Sequence, residues 1–462
     1  MPLDPRRRPE LALLLLACAV LGAAWSLVVP TFEAPDEPAH WSYVTYLARE
    51  RELPAHADRV PGKPWPGSYE SHQPPLFYAA AAALLRFGPG SEERVVLARN
   101  PAFRTGPDEA NVFEHAPEMP APQDARPGIL SVRLLSAACG LATTLLTYLV
   151  ANAVFGGRRA PALAAAALVG FSPQFLFIAG SVNNDAMAAC LGTAALLPML
   201  RLLSRRPARW WWAAAAGGLV GAAALVKLSA LALLPLAGIL VLWRALRVDR
   251  RPSHLVAFAA AVAGTVGWYV VLNAARRGDP FLTHLAETNT PKLIRRKSLT
   301  ADYWPDTFAP RLFESFWGYF GWFSVALPAA VYLAFQVAAA TGALGLLADV
   351  RPWRGRRWVP AGHGRCLLLL AAVVAVNLAA VVQYNLTYSQ PQGRFLFPSI
   401  AAIAVLLVAG WSALLDRLRS ILPPSRLTTA LPGALAAAVV LGMGGLNLYA
   451  LAVVHDAYWV TP

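Results

Sequence analysis

The run Pro35-Asp36-Glu37-Pro38-Ala39-His40 places a carboxylic acid and an imidazole four positions apart. In a helix beginning here Asp36 and His40 share a face, while Glu37 points about 100° away. An acid and an imidazole on one face can converge on a substrate hydroxyl, the acid as general base and the imidazole as its orienter. The competing account is structural: Asp36 caps the helix and Pro38 sits in its first turn. A second run, Glu70-Ser71-His72-Gln73-Pro74-Pro75, brings an imidazole, His72, and an amide, Gln73, to the edge of a short apolar stretch. Such a pair suits a lipid phosphate or a sugar at a water–lipid boundary, and reads equally as a polar helix start followed by proline. A third, Asn183-Asn184-Asp185, could bind sugar hydroxyls or a divalent ion, with capping of the following helix by Asp185 as the alternative.

The cations that matter lie beside apolar sequence: Lys227, Arg276 next to Arg277, and Arg394 within Gln392-Gly393-Arg394-Phe395-Leu396-Phe397-Pro398. A charge at membrane depth is costly and marks function, although Arg276 and Arg277 can also snorkel to the interface. Arg394 is the best phosphate clamp, since guanidinium offers a planar fork and Gly393 lets a backbone approach closely. No dense carboxylate cluster calls for a resident divalent metal, so no metal ligands are assigned, though the acids are compatible with such an ion. Cys18, Cys139, Cys190 and Cys366 all fall in apolar segments without ligand spacing, which argues against zinc and against a disulfide framework.

What must position these groups is a set of membrane-crossing helices. Of 462 residues 57% are hydrophobic and 14% charged, against about 25% charged in soluble domains. Residues 11–29, 129–155, 161–178 and 430–454 approach or exceed the ~20 needed to span hydrocarbon, and only helices can do so there. The runs predict about 11 transmembrane helices, with the 210–243 stretch split by a hairpin near Lys227. The net charge of +14 is dispersed between the runs, without a basic stripe interleaved by aromatics, which argues against nucleic acid. Basic connections at 158–159, 201–209, 244–251, 351–365 and 417–426 all fall on the side of Arg6 to Arg8. The positive-inside rule then puts the N-terminus in the cytoplasm and the C-terminus outside.

In that topology 30–128 is a large first outer loop and 274–318 a second, the whole of 1–462 forming one transmembrane domain. Within the first, 37–50 has helical periodicity suited to the membrane surface, and 75–87 is an apolar helix too short to span, interfacial or re-entrant. The stretch 88–128 reads as surface loop. The second loop is anomalous, because 276–311 carries seven Lys and Arg residues outside the membrane, which calls for an external anionic partner or a different topology.

Together these pieces resemble the GT-C superfamily of polyprenyl-phosphate-dependent glycosyltransferases, which includes the aminoarabinose transferases of lipid A and the protein O-mannosyltransferases. The likeness is closest to a bacterial branch of predicted membrane proteins with an early Pro-Asp-Glu-x-x-His element, a Ser-His-Gln-Pro-Pro element and a late Gly-Arg-aromatic-Leu-Phe-Pro element. Here these stand at 35–40, 71–75 and 393–398. The resemblance implies an all-α GT-C-like fold in a bacterial cytoplasmic membrane. It implies a donor sugar on polyprenyl phosphate and a glycan, lipid or protein acceptor among membrane lipids. Asp36 would be the catalytic base or help hold a metal, with Glu37 and His40 as accessories. His72, Gln73, Asn184 and Asp185 are then candidate substrate contacts. Lys227, Arg276 and Arg394 are read as contacts to the departing phosphate. A lipid-linked sugar flippase or secondary transporter is the rival reading, and a scaffold in an envelope assembly is a third.

Overall fold

The computed structural model describes residues 8–54, 70–88, 95, 97–103, 111–115, 126–204, 207–289, 294–347, 364–423 and 425–459. In hydrocarbon only bonds within a segment satisfy backbone N–H and C=O, so the apolar runs become helices. The first is α1 (Pro9–Val28), followed by α2 (Glu37–Glu50) and α3 (Leu76–Phe87), the two helices that the sequence pattern indicates within 30–128. Then come α4 (Pro127–Val154), α5 (Arg159–Gly170), α6 (Pro173–Ala179), α7 (Asp185–Leu203) and α8 (Trp211–Ala224). After a 3-10 turn, Leu228–Ala232, follow α9 (Leu233–Trp243), α10 (Ser253–Val262), α11 (Trp268–Arg277), α12 (Thr283–Asn289) and α13 (Ala309–Trp317). A small antiparallel ribbon, β1 (Tyr319–Phe320) with β2 (Val325–Ala326), leads to α14 (Ala329–Leu347) and α15 (Gly364–Thr387). A second 3-10 segment, Gly393–Ser399, opens α16 (Ile400–Ile421), and α17 (Arg426–Trp459) closes the described chain.

Among the described residues nine helical stretches are long and apolar enough to cross a membrane, with α9 and its flanking turns counted as one stretch, Leu228–Val248, and α10 and α11, joined by a π-helical turn, as another, Ser253–Arg277; they are ten if α5 and α6 together make one bent crossing. The difference from about eleven lies in α8, whose 14 residues fall short of the ~20 a crossing needs. The break expected near Lys227 is present, with Lys227 in extended conformation between α8 and the 3-10 turn. The 161–178 run, expected to approach spanning length, is bent by 57° between α5 and α6. Pro173 is the reason: it disfavours helical geometry in the residue before it, and Ser172 is extended (φ −63°, ψ 118°). Residues 6–7, most of the 88–128 loop and nearly all of the basic 351–365 connection lie outside the described residues.

Small residues let the helices approach closely, which is how apolar helices associate without a hydrophobic driving force between them. The alanine-rich α5 is buried over nearly its whole length in the main core, against α4, α16 and α17. Between α14 and α16 the backbones of Gly342, Gly345 and Gly410 lie against one another, and Trp411 Nε1 donates to the Ala338 carbonyl at 2.9 Å. A Cβ at Gly410 would overlap the Gly342 carbonyl backbone, which no side-chain rotation relieves. Gly410→Leu is therefore expected to separate α14 from α16 and lower the midpoint of thermal unfolding in detergent. Overpacking of this kind costs about 1–3 kcal/mol or more. An unchanged melting curve would refute the close approach.

A second core holds α2 and α3 together. Phe32, with Trp41, Tyr43 and Val44 of α2, packs on Phe77, Tyr78, Ala81 and Leu85 of α3, all buried. The two loop helices thus form a packed pair, with the Tyr43 and Tyr78 rings stacked at 3.9 Å.

Candidate active site

The three motifs meet at one end of the bundle, where α1 ends and α2, α7 and the segments leading into α9 and α16 begin. Asp36 immediately precedes α2 with φ 64°, ψ 0°, a left-handed conformation that side chains rarely adopt. It makes no capping hydrogen bond. The carboxylate turns instead to Arg394, whose Nη2 donates to Asp36 Oδ2. Arg394 Nε donates to Gln392 Oε1 at 2.5 Å, and Nη1 lies 3.6 Å from Asp185 Oδ2.

Asp185 is the first residue of α7, with its backbone N–H taken by Asn183 Oδ1 at 2.7 Å, and neither of its carboxylate oxygens caps the helix. Its Oδ1 accepts from Lys227 Nζ, while its buried Oδ2 has no hydrogen-bond partner. Lys227 Nζ also stands 4.8 Å from the centre of the Phe395 ring. The result is an alternating chain of charges, Asp36–Arg394–Asp185–Lys227, drawn from four separate stretches of sequence. Of these side chains Asp36 is the most open, 28% exposed against 6% for Arg394.

Two glycines set the turn that carries Arg394. A Cβ at Gly192 of α7 would stand 3.0 Å from the Pro398 carbonyl, and one at Gly393 would overlap the backbone of Phe316 in α13. Gly393 N–H also donates to Ser315 Oγ at 2.8 Å. The close approach expected at Gly393 is thus to α13, and it wedges the 3-10 turn between two helices.

Around this chain lie the other candidates. Asn184 Nδ2 donates to the Val226 carbonyl at 3.1 Å and reaches Gln73 Oε1 at 3.4 Å; Gln73 Nε2 lies 3.3 Å from His72 Nε2, which is 3.8 Å from Glu70 Oε2. These contacts tie the second motif to the third. His40 is buried with Nδ1 2.7 Å from the Tyr78 hydroxyl; its backbone N–H donates to the Asp36 carbonyl at 3.0 Å, but among the described residues no side-chain hydrogen bond joins the two. The imidazole expected to orient Asp36 is here paired with Tyr78, because α2 packs on α3.

Two more of the expected site residues are charged and lie outside this chain of charges. Glu37, expected as a catalytic accessory, is fully buried and committed: Arg133 Nε and Nη2 donate to it at 2.8 and 2.7 Å, Val182 N–H at 2.8 Å and Phe32 N–H at 3.0 Å. Arg276 is exposed in the last turn of α11 and, among the described residues, forms no ion pair to Asp36 or Asp185.

Sequence reasoning missed Arg133, whose charge inside the 129–155 apolar run was the available signal. It also missed Glu33, buried and bonded to Val112 N–H at 2.9 Å, Phe113 N–H at 3.0 Å and His115 Nε2 at 2.9 Å.

The electrostatics distinguish the acids. Burial pushes the Asp36 carboxyl up, but the charge of Arg394, aided by His40 and Lys227, outweighs it and holds Asp36 below the usual carboxylate range. Burial raises Glu70, and the opposing pull of His40 does not cancel it. For His40 burial dominates and favours the neutral ring. An ionised acid beside a guanidinium, next to a second acid one of whose oxygens accepts no hydrogen bond, can accept a proton and can exchange its cation for an incoming anion. Among the described residues no group of three or more His, Cys, Asp and Glu could hold a metal. Asp36 and Asp185 are each engaged by a cation, so these residues do not fit the oxygen set a divalent ion takes.

Comparison with known proteins agrees with this architecture. A family profile described as "Predicted membrane protein (DUF2142)" matches residues 122–404, more than half of the chain. No curated protein matches. Among solved structures the chain is similar to ArnT from Cupriavidus metallidurans bound to undecaprenyl phosphate, at 16% identity and TM-score 0.52, covering 97% of this chain and 75% of ArnT. It is similar to the apo state of the same protein at 14% identity and TM-score 0.53, covering 98% and 76%. The arabinofuranosyltransferase AftD from Mycobacteria matches at 16% identity and TM-score 0.51, over 100% of this chain but only 27% of AftD. The GT-C-like architecture implied by the motifs is the fold of this chain.

Proposed function

This chain belongs to the DUF2142 family of predicted membrane proteins, and from that premise we propose that it transfers a sugar from a polyprenyl-phosphate donor to an acceptor hydroxyl at the outer face of the cytoplasmic membrane. The N-terminus is then cytoplasmic and the C-terminus outside, with 30–128 and 274–318 as outer segments of one transmembrane domain. The observation that carries the reading is the Asp36–Arg394–Asp185–Lys227 chain on a GT-C-like fold, with its most open member a carboxylate. ArnT's solved complex holds undecaprenyl phosphate, which supports an anionic lipid as the donor's leaving group.

In the proposed reaction the donor phosphate takes over Arg394 and Lys227, which their carboxylate partners otherwise neutralise. Asp36 loses its guanidinium partner and becomes a stronger base, since the charge that held its proton affinity down now faces phosphate. It accepts the acceptor's hydroxyl proton as that oxygen attacks the anomeric carbon from the face opposite the phosphate. The bond from anomeric carbon to phosphate oxygen breaks, its electron pair leaves with polyprenyl phosphate, and the configuration inverts. Arg394 and Lys227 stabilise the charge that develops on the leaving oxygen.

The test is turnover of radiolabelled polyprenyl-phosphate sugars by the purified protein in lipid. Release of polyprenyl phosphate with the sugar moved to an acceptor supports the enzyme. Donors that move between leaflets chemically intact would replace it with the flippase.

The acid side of the pH dependence follows from Asp36. Transfer needs the ionised form, and in the donor-free enzyme that form persists to a lower pH than in an ordinary carboxylate. Because kcat/KM reports free-enzyme ionisations, it should stay level as pH falls from about 7 to about 5 and decline only below about 4. A decline centred between about 5 and 7 would assign the limb to another acid, with Glu70, raised by burial, the first suspect.

A further inference from the structure

The cations of the second outer segment are not scattered. Residues 294–297 run beside the end of α15: Ile294 bridges to Tyr388, Arg295 N–H donates to the Thr387 carbonyl at 2.8 Å and Lys297 N–H to the Leu386 carbonyl at 2.9 Å. Lys297 Nζ donates to the Arg295 carbonyl at 2.8 Å and lies 4.2 Å from the centre of the Tyr303 ring. Tyr303 OH donates to Asn385 at 2.9 Å, and Trp304 Nε1 to the Ser298 carbonyl at 2.8 Å. The strip is therefore fixed in place, with Lys297 used to brace it.

Arg295 and Arg296 are left exposed and, among the described residues, form no ion pair. The acids in the same region, Glu287, Asp302 and Asp306, do not neutralise them through any such pair. The strip also continues into the site. Tyr388 stacks on Tyr384 at 4.6 Å, and Tyr384, 36% exposed, meets the edge of Phe395 at 5.5 Å, next in sequence to Arg394. Two adjacent exposed arginines on a held backbone are a poor arrangement for stability, since like charges repel, and a good one for recognition of phosphate or carboxylate, because each guanidinium offers a planar fork.

We propose that Arg295 and Arg296 form the docking surface for an acceptor that carries phosphate or carboxylate groups, holding it beside the Tyr384–Phe395 edge with its hydroxyl toward Asp36. The acceptor role rests on the transferase reading above, but the anion-binding surface does not require turnover. It also accounts for the excess of basic residues on the outer side, which the positive-inside rule disfavours.

The full chain in phosphatidylcholine nanodiscs, with its donor site filled by saturating polyprenyl phosphate, would be titrated with a fluorescent polyphosphate, with an oligogalacturonate and with a neutral dextran oligomer. The wild type should bind both anions and ignore dextran, and binding should weaken as salt screens the surface. R295Q/R296Q should bind them about tenfold or more weakly, yet bind polyprenyl phosphate as tightly as the wild type. Equal anion binding by wild type and R295Q/R296Q overturns the proposal. So does failure of the soluble anions to bind while phosphatidylglycerol in the nanodisc raises the melting temperature of the wild type but not of the variant; that result makes the pair a lipid-headgroup contact, beside exposed Leu299. Absence of donor turnover would remove the transferase reading without altering these isotherms, so the two failures remain distinguishable.

Discussion

Asp36→Asn should reduce sugar transfer by about 10²–10⁴-fold while leaving donor binding intact or tighter. The amide occupies nearly the same volume but cannot accept the acceptor's proton, and it no longer neutralises Arg394. The guanidinium then keeps only its Gln392 bond and its 3.6 Å approach to Asp185, and it meets the donor phosphate with less competition. Because Asp36 makes no capping bond, the substitution should not unravel α2, and matched melting curves would document that. The measurement is single-turnover transfer alongside a donor-binding isotherm. A variant that transfers sugar at the wild-type rate would remove Asp36 as base, and one that loses donor binding in step with turnover would make it a binding residue instead.

Glu37→Ala should be lost to misfolding before catalysis becomes a question, with stability reduced by about 3–5 kcal/mol. The carboxylate is fully buried and receives four hydrogen bonds, two from Arg133 and two from backbone amides on either side of it in sequence. Arg133, itself buried, donates in addition to the carbonyls of Ser26 at 2.9 Å, Val29 at 2.7 Å and Pro30 at 3.0 Å. It thereby bonds the Ser26 carbonyl in the last turn of α1, which the helix leaves without a partner, and two carbonyls of the chain just beyond it. The pair joins α1, α4, the start of α2 and the turn before α7, so it fixes the backbone on which both Asp36 and Asp185 stand. Removing the acid alone strands a buried guanidinium; Glu37→Ala with Arg133→Met removes both charges and should recover part of the loss. Yield of monodisperse protein and thermal midpoint in detergent are the readouts. A Glu37→Ala protein with wild-type stability and no activity would return Glu37 to the chemistry.

The three motifs show how far a linear reading goes. Which segments are helical was legible at α1, α2, α3 and α4, because hydrophobic length and periodicity are properties of neighbouring residues. The interruption at Lys227 was legible for the same reason. The bend at Ser172–Pro173 was not drawn from the 161–178 run, since hydrophobicity alone is blind to the backbone effect of one proline. Residue type singled out Asp36, Asp185, Lys227 and Arg394, because charges beside hydrocarbon are costly wherever they sit in the chain.

What spacing could not supply was partnership. It offered Asp36 to His40, its neighbour on a helix face, and capping to Asp36 and Asp185. In the folded protein Asp36 meets Arg394, 358 residues away, His40 meets Tyr78, and Glu37 meets Arg133. A side chain's role depends on which opposite charge or hydrogen-bond group is within reach once water is excluded, and helix packing brings those groups together from distant sequence. The sequence by itself determined the membrane class, the helical segments and the charged residues worth watching; only the tertiary structure decided that Asp36 faces a guanidinium at an open site while Glu37, the next residue, is sealed into the frame.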